Sequence, residues 1–289
     1  MKNTMTFYET QISKGLSLDT VRQQEKIANA FENWCELQKI KPKKASYNDV
    51  LEYVNHLQSI KNMPATIRSK MNTLAHYFDY LDVKINVARL IKLKGGIRNR
   101  LYLALETEEL NAIFEAQKTH GITNKRNKVV LSLIVNQGLQ RDDFERIECK
   151  DIDLENGTLH VPGSAMLNAR IMSLVPSQIL LFQYYLEQIR PEMLIDSERS
   201  TQQFIVNFKG KTHDVKGLVF HILKPLKIQF PKLKNATQIR QSLIANWVKS
   251  HGLRQAQYMS GHKYVSSTER YNEDKMEGLL EEIKLFHPF

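Results

Sequence analysis

The stretch TQIRQSLIANWVKSHGLRQAQYMSGHKYVSSTERY, residues 237–271, places an arginine, a histidine and a tyrosine of reactive type close together in a chain that is otherwise basic and helical in pattern. Residues 236–248 read as one helix, because Ile239, Leu243 and Trp247 recur at helical spacing. Arg240 lies one step from that apolar row and is expected to face a cleft. Ser260-Gly261-His262 reads as a turn followed by a histidine, and Ser266-Ser267-Thr268 as the cap of a further helix carrying Tyr271. Taken singly, an arginine on a helix faces solvent, a lone histidine is structural and a tyrosine is half-buried core. The three gain chemical meaning only as a set.

The bulk properties bound what that set can act on. A chain of 289 residues exceeds the usual single core, so two domains are expected. Forty-one Lys and Arg against thirty-one Asp and Glu give a net charge of +10, which favours a polyanionic partner, nucleic acid before membrane. No apolar run approaches the roughly 20 residues of a membrane span. The start, MKNTMTFY, lacks the apolar block of a signal peptide, so a cytoplasmic, nucleoid-associated protein is expected. Cys35 and Cys149 have no metal-ligand spacing and read as buried thiols. With neither a metal cluster nor a phosphate-cradling glycine loop, no metal and no cofactor are expected.

Upstream, the pattern is helical from Asp19 to Leu37, with Leu18-Asp19-Thr20 offering a staple and caps, and again from Tyr47 to Ile60, with Ser46 as cap and Val50, Leu51, Tyr53, Val54 and Leu57 inside. Pro64 opens a third helix with Ile67, Met71, Leu74, Ala75, Phe78 and Leu81 inward. Val87 to Leu93 reads as a short fourth, before Lys94-Gly95-Gly96. Residues 1–94 therefore read as a self-contained helical bundle and 95–104 as a linker. Lys43, Lys44, Arg68, Lys70, Lys92 and Lys94, followed by Arg98 and Arg100 in the linker, suit a module lying against DNA phosphates, largely blind to sequence.

Residues 105–289 read as a mostly helical domain with a small antiparallel sheet, so the fold class is mainly α. Thr107 caps a helix, and the run from Val129 to Val135 is a buried one. Phe144 and Ile147 share another. Asn156-Gly157 is a turn, Leu159 and Val161 alternate as a strand, and 170–175 returns. A helix follows from Pro176 to Ile189, 203–208 is a third strand, and 217–228 is helical. Met276, Leu279, Leu280 and Ile283 lie on one side of a terminal helix.

The spacing of Arg240, His262 and Tyr271, nine positions separating the last two, resembles that of the tyrosine recombinase (phage integrase) superfamily. The likeness continues upstream, where GLQRDDFERIECKDIDL from Gly138 aligns without gaps to a Gly-Leu-Arg...Asp-Ile-Asp-Leu segment of the family. The ending LLEEIKLFHP is similar to a subgroup from mobile elements of Bacteroidetes. The resemblance implies an N-terminal core-binding (SAM-like) bundle and a C-terminal catalytic domain clamping double-stranded DNA. It also implies a homo-oligomer, a synaptic tetramer on DNA, coupled by exchange of the terminal helix.

The family's chemistry is attack by the tyrosine oxygen on a phosphodiester, giving a 3'-phosphotyrosine and a free 5'-hydroxyl. Transferred residue by residue, Tyr271 is the nucleophile, Arg240 a phosphate clamp and His262 a second donor. The chain departs from the family at three places. Gln140, with Arg141 beside it, stands where the first arginine is expected. Thr237 stands where a histidine is expected. The hairpin GSAMLNAR, 163–170, has no lysine, with Asn168 at the approximate place and Arg170 following. Two classes of function follow: a strand-exchange enzyme, or a DNA-binding relative that keeps the clamp without the chemistry.

Overall fold

A computed structural model of the chain describes residues 5–93, 101–195, 201–207 and 215–272. The chain divides into two compact units, Met1–Arg100 and Leu101–Phe289. Lys94, Arg98, Arg100, most of the expected linker and the terminal helix after Tyr271 lie outside the described residues.

The first unit is built from α1 (Phe7–Ser13), α2 (Leu18–Leu37), α3 (Tyr47–Ser59) and α4 (Pro64–Tyr80). The helix starts are chemically marked. Ser46 accepts the Asp49 backbone N–H while the Asp49 carboxylate accepts that of Ser46, a reciprocal cap. Pro64 sits in the first turn of α4, where its missing N–H costs nothing. The core is aromatic: Phe31 is fully buried and meets Tyr53 and Phe78 edge-on at centroid distances of 5.0 and 5.6 Å.

Local expectations differ from this unit in four respects. Helix α1, capped by Thr6 and Glu9, is additional to the expected set. The cap of α2 is Ser17, which makes Leu18 the first helical residue, exposed and outside the staple position. Leu51 is exposed, because the inner stripe of α3 is narrow and is filled by Val50, Tyr53, Val54 and Leu57. Only Val87–Leu90 turns, as a 3-10 helix, since Ile91 is already extended.

The second unit is organised by α6 (Ile122–Gln137), which follows α5 (Thr107–Glu115). Six apolar residues between Val129 and Val135 are buried, because a helix apolar on all sides must be wrapped by others. It ends at Gly138 in the left-handed conformation, a position where glycine is unstrained. The cap of α5 is Glu106, one residue before the expected Thr107, with its N–H held by the Glu109 carboxylate at 3.0 Å. The short α7 (Arg141–Phe144) stops before Ile147, which is buried but not helical.

The sheet is antiparallel in the order β1 (Ile152–Asp153), β2 (Thr158–Val161), β3 (Arg170–Ser173). In β2 and β3 the register pairs Leu159 with Met172 and Val161 with Arg170, and these four side chains face inward while His160 and Ile171 face out. A slip of one residue would turn Arg170 to solvent. The third strand is β1, not the expected 203–208: Asp153 accepts from the Asn156 backbone at 2.9 Å and folds β1 onto β2. Among described residues of the 201–207 segment there is a single bridge, Gln203 with Glu148, because the 3-10 turn Cys149–Asp151 breaks the pairing.

Helix α8 (Pro176–Tyr184) runs through a π turn at Tyr185–Ile189 into α9 (Arg190–Leu194) and so extends past the expected Ile189. Then follow α10 (Val215–Gln229), α11 (Ala236–His251), α12 (Leu253–Ser260) and α13 (Ser266–Glu269). Cys35 is buried as expected, whereas Cys149 is only half-buried.

The aromatic centre of the first unit gives a direct test. Phe31→Ala should cost about 3–5 kcal/mol of stability, read from the denaturant midpoint of the first transition. A loss below about 1 kcal/mol would contradict the packing described.

Candidate active site

Three segments of the second unit converge: the end of α6 with α7, the start of β3, and the run from α11 to Tyr271. Helix α11 starts where the Asn235 side chain accepts the Gln238 N–H at 2.9 Å. Its buried face is wide and includes Gln238, Ile239, Arg240, Ser242, Ile244 and Trp247, so Arg240 lies in the interior. Arg240 is 5% exposed. Its Nη2 donates to the Ser260 carbonyl at 2.6 Å and its Nη1 to the Gly138 carbonyl. Those carbonyls lie at the C-terminal ends of α12 and α6, where unspent acceptors and the helix dipole favour a cation. Burial and the neighbouring Arg170 lower the Arg240 pKa to about 10, so it remains charged at neutral pH.

Gly261 follows in the left-handed conformation with φ of 72° and turns the chain into His262. Nδ1 of His262 lies 2.8 Å from the hydroxyl of Thr268, which is fully buried. Thr268 thus serves His262, and the expected Ser266–Thr268 cap of α13 is not formed, Val265 occupying the cap position. Tyr271, on a 3-10 turn after α13, stacks on His262 with centroids 6.2 Å apart and planes 17° off parallel. Burial first, then Arg240, Arg170 and Arg270, push the His262 pKa down to about 4, so the ring is neutral near pH 7. Burial raises the Tyr271 pKa, against the opposing pull of Arg240 and Arg270.

The hairpin is fastened to this turn. The Asn168 backbone N–H donates to the Gly261 carbonyl at 2.8 Å, Leu167 bridges His262, and the Ile171 N–H donates to the Tyr258 hydroxyl at 3.0 Å. Arg170 lies beneath, 2% exposed, with Nη2 at 3.5 Å from Asp143. Asp143 also pairs with Arg146 at 2.6 Å and accepts the Gln140 N–H at 2.8 Å. Burial lowers the Arg170 pKa and Asp143 opposes that shift.

Arg240, His262, Tyr271 and Arg170 are therefore assembled. Asn168 joins through its backbone, its side chain being exposed. Three other candidates are outside the cluster. Thr237 is exposed, the Gln140 residue is exposed with its backbone N–H and carbonyl both engaged by Asp143, and Arg141 is exposed and paired with Asp142 at 2.9 Å. Asp143 escaped the sequence reading, and Gly261 and Thr268 entered it only as parts of a turn and a cap. Asp143 left one signal, an acid three residues after Gln140, the spacing of a helix cap.

In the first unit Lys43, Lys44 and Lys92 are exposed. Arg68 donates to the Leu93 carbonyl at 3.3 Å and Lys70 to the Asn62 side chain at 3.1 Å. Among the described residues no group of His, Cys, Asp and Glu is placed to hold a metal ion, and no helix is long and apolar enough to cross a membrane.

Residues 104–277 match the model of the phage integrase family. Tyrosine recombinase XerD of Staphylococcus saprophyticus is 25% identical over 290 residues, covering 96% of this chain and 95% of that protein. Tyrosine recombinase XerC of Staphylococcus epidermidis is 21% identical over 295 residues, covering 97% of this chain and 95% of its own. In fold, the chain is similar to the Tn1549 transposon integrase in complex with a circular intermediate DNA, with a TM-score of 0.70, 13% identity and coverage of 94% and 98%. It is likewise similar to a lambda integrase dimer bound to a COC' core site, with a TM-score of 0.66, 13% identity and 93% of each chain covered.

The burial of His262 predicts a pH effect on folding. An unfolded imidazole titrates near 6.5 and the folded one near 4, so between those values the unfolded state binds the extra proton and stability falls as pH falls. His262→Asn should remove that part of the slope in urea melts across this window; parallel curves for the two proteins would show that the ring is not buried as described.

Proposed function

The chain belongs to the phage integrase family, and from that premise we propose that it is a site-specific DNA recombinase working through a 3'-phosphotyrosine intermediate. Tyr271 Oη attacks the phosphorus, a phosphotyrosyl bond forms, and the bond from phosphorus to the 5'-oxygen breaks with proton transfer to that oxygen. The observation that carries this reading is the stack of Tyr271 on a neutral His262, with the buried Arg240 guanidinium within electrostatic reach of both.

Arg240 neutralises charge on the phosphate oxygens in the transition state, the work for which planar guanidinium donors are suited. Thr268 fixes the ring of His262, whose free nitrogen then donates to the phosphate. The first unit is the core-binding domain, holding duplex DNA through Lys43, Lys44, Arg68, Lys70 and Lys92. Residues 105–289 form the catalytic domain, and a synaptic homotetramer forms on the DNA. The named relatives support this reading: they are tyrosine recombinases across nearly their whole length, and the similar folds are those of DNA-bound integrases.

One observation favours a second reading, a DNA-binding relative without the chemistry. Both terminal nitrogens of Arg240 already serve carbonyls, and neither Gln140 nor Thr237 brings a charge. A nicked suicide duplex separates the two. A covalent adduct that disappears in Tyr271→Phe, and falls roughly a hundred- to a thousandfold in Arg240→Ala, is expected of the enzyme. Absence of any adduct under assembly conditions leaves the DNA-binding reading.

Binding by the first unit is predicted to be electrostatic. Replacing Lys43 and Lys44 by alanine should weaken duplex binding regardless of sequence and reduce the slope of log affinity against log salt by about 0.9 for each phosphate no longer neutralised. An unchanged slope in a titration series would remove these lysines from the interface.

A further inference from the structure

We propose that Arg170 supplies the second guanidinium of the phosphate site, reaching it from the sheet in place of the charge that Gln140 lacks. The proposal rests on the recombinase reading for its substrate but stands on the geometry of the cluster.

Arg170 is placed inside by register. It pairs with Val161 across β2 and β3, shares the inner face with Met172, and its side chain has no exposed surface. A buried arginine is ordinarily consumed by its partners, and this one is not. Nε and Nη1 are buried without a hydrogen-bond partner, and Nη2 has only the 3.5 Å contact to Asp143. Asp143 is itself committed more closely elsewhere, to Arg146 at 2.6 Å and to the Gln140 N–H at 2.8 Å. The cluster thus holds the guanidiniums of Arg146, Arg170 and Arg240 against one carboxylate, and Arg170 and Arg240 repel one another. Such a surplus inside a protein is costly unless an anion meets it. A phosphodiester approaching its transition state brings two charged non-bridging oxygens, which match the unspent donors.

The neighbouring backbone supports the same assignment. A Cβ at residue 261 would stand 2.7 Å from Arg170 Nη1 and 3.1 Å from the Asn168 carbonyl, so only glycine lets the turn lie against this guanidinium. That turn presents His262, and Asn168 ties the hairpin to it. One rigid joint therefore positions both Arg170 and His262. In this conformation Gly261 lies against Nη1. Three other cations among the described residues are committed elsewhere. Arg126 serves the Val206 carbonyl and Asn207, Lys128 the Phe114 carbonyl and Glu115, and Lys125 the Tyr184 hydroxyl.

The test removes charge from the substrate. Adduct formation is measured with a normal scissile phosphate and with a methylphosphonate, which lacks one charged oxygen, for the full-length protein, Arg170→Ala and Arg170→Lys. On the phosphodiester, Arg170→Ala should lose roughly a hundred- to a thousandfold and Arg170→Lys less. On the methylphosphonate the alanine deficit should shrink to below about tenfold, since a guanidinium that neutralised the missing oxygen has nothing left to neutralise. An equal deficit on both substrates would mean a merely structural arginine, and no deficit would mean no role; either overturns the proposal while the recombinase reading stands. In parallel, the Arg170 Nε–H signal of the unmodified protein, identified by its loss in Arg170→Lys, is followed by NMR during titration with inorganic phosphate. A saturable shift is expected. If no DNA yields an adduct, the recombinase reading falls and this titration alone decides the anion site, an unmoved signal overturning it.

Discussion

The guanidinium of Arg240 joins the end of α6, through the Gly138 carbonyl, to the end of α12, through that of Ser260. Both acceptors are carbonyls that a helix terminus leaves unspent. The bridge therefore satisfies two helix ends with one cation and at the same time fixes that cation at the centre of the site. Gly138 permits it twice. Its left-handed backbone ends α6, and its missing side chain lets α11 approach, since a Cβ there would stand 3.2 Å from Leu243. Gly261, also left-handed, ends α12, and a Cβ there would stand 2.7 Å from Arg170 Nη1.

Around that bridge, charge is concentrated where solvent is scarce. Arg170 and Arg240 are almost fully buried, and the nearest carboxylate, Asp143, is shared with Arg146. The same field and burial keep His262 unprotonated. Buried charge of this kind is costly to fold. At the three positions where the chain departs from the family, Gln140, Thr237 and Asn168, the residues are exposed and bring no charge. The sheet, through the inward register of β3, is the element that brings Arg170 to Asp143.

Much of this was legible in the sequence, for physical reasons that also mark the limit. Helices α3, α4 and α11 announce themselves by apolar period, and α3 and α4 also by Ser46 and Pro64 at their starts, because both signals are local. Arg240, His262 and Tyr271 were legible by spacing. The burial of Arg240 was not, since the inner face of α11 includes Gln238 and Ser242, polar residues whose partners come from other segments. Strand β1 was missed because two residues carry no period, whereas the apolar Phe204–Val206 run looked like a strand but packs as an irregular segment held by Arg190 and Tyr185. The pairing of Thr268 with His262 depends on how a turn closes and has no signature in spacing alone. Arg170 obeys strand alternation with Met172, yet an arginine on an inner face runs against the usual rule for charged residues.

The central claim is that Tyr271 becomes covalently joined to DNA. Mass spectrometry of a trapped adduct tests it most directly, because Arg270 precedes the tyrosine and trypsin releases a peptide that begins YNEDK. This peptide is expected to carry a nucleotide joined through its 3'-phosphate to the tyrosine oxygen of its first residue. A nucleotide attached at any other side chain, or a trapped complex in which this peptide is unmodified, would contradict it.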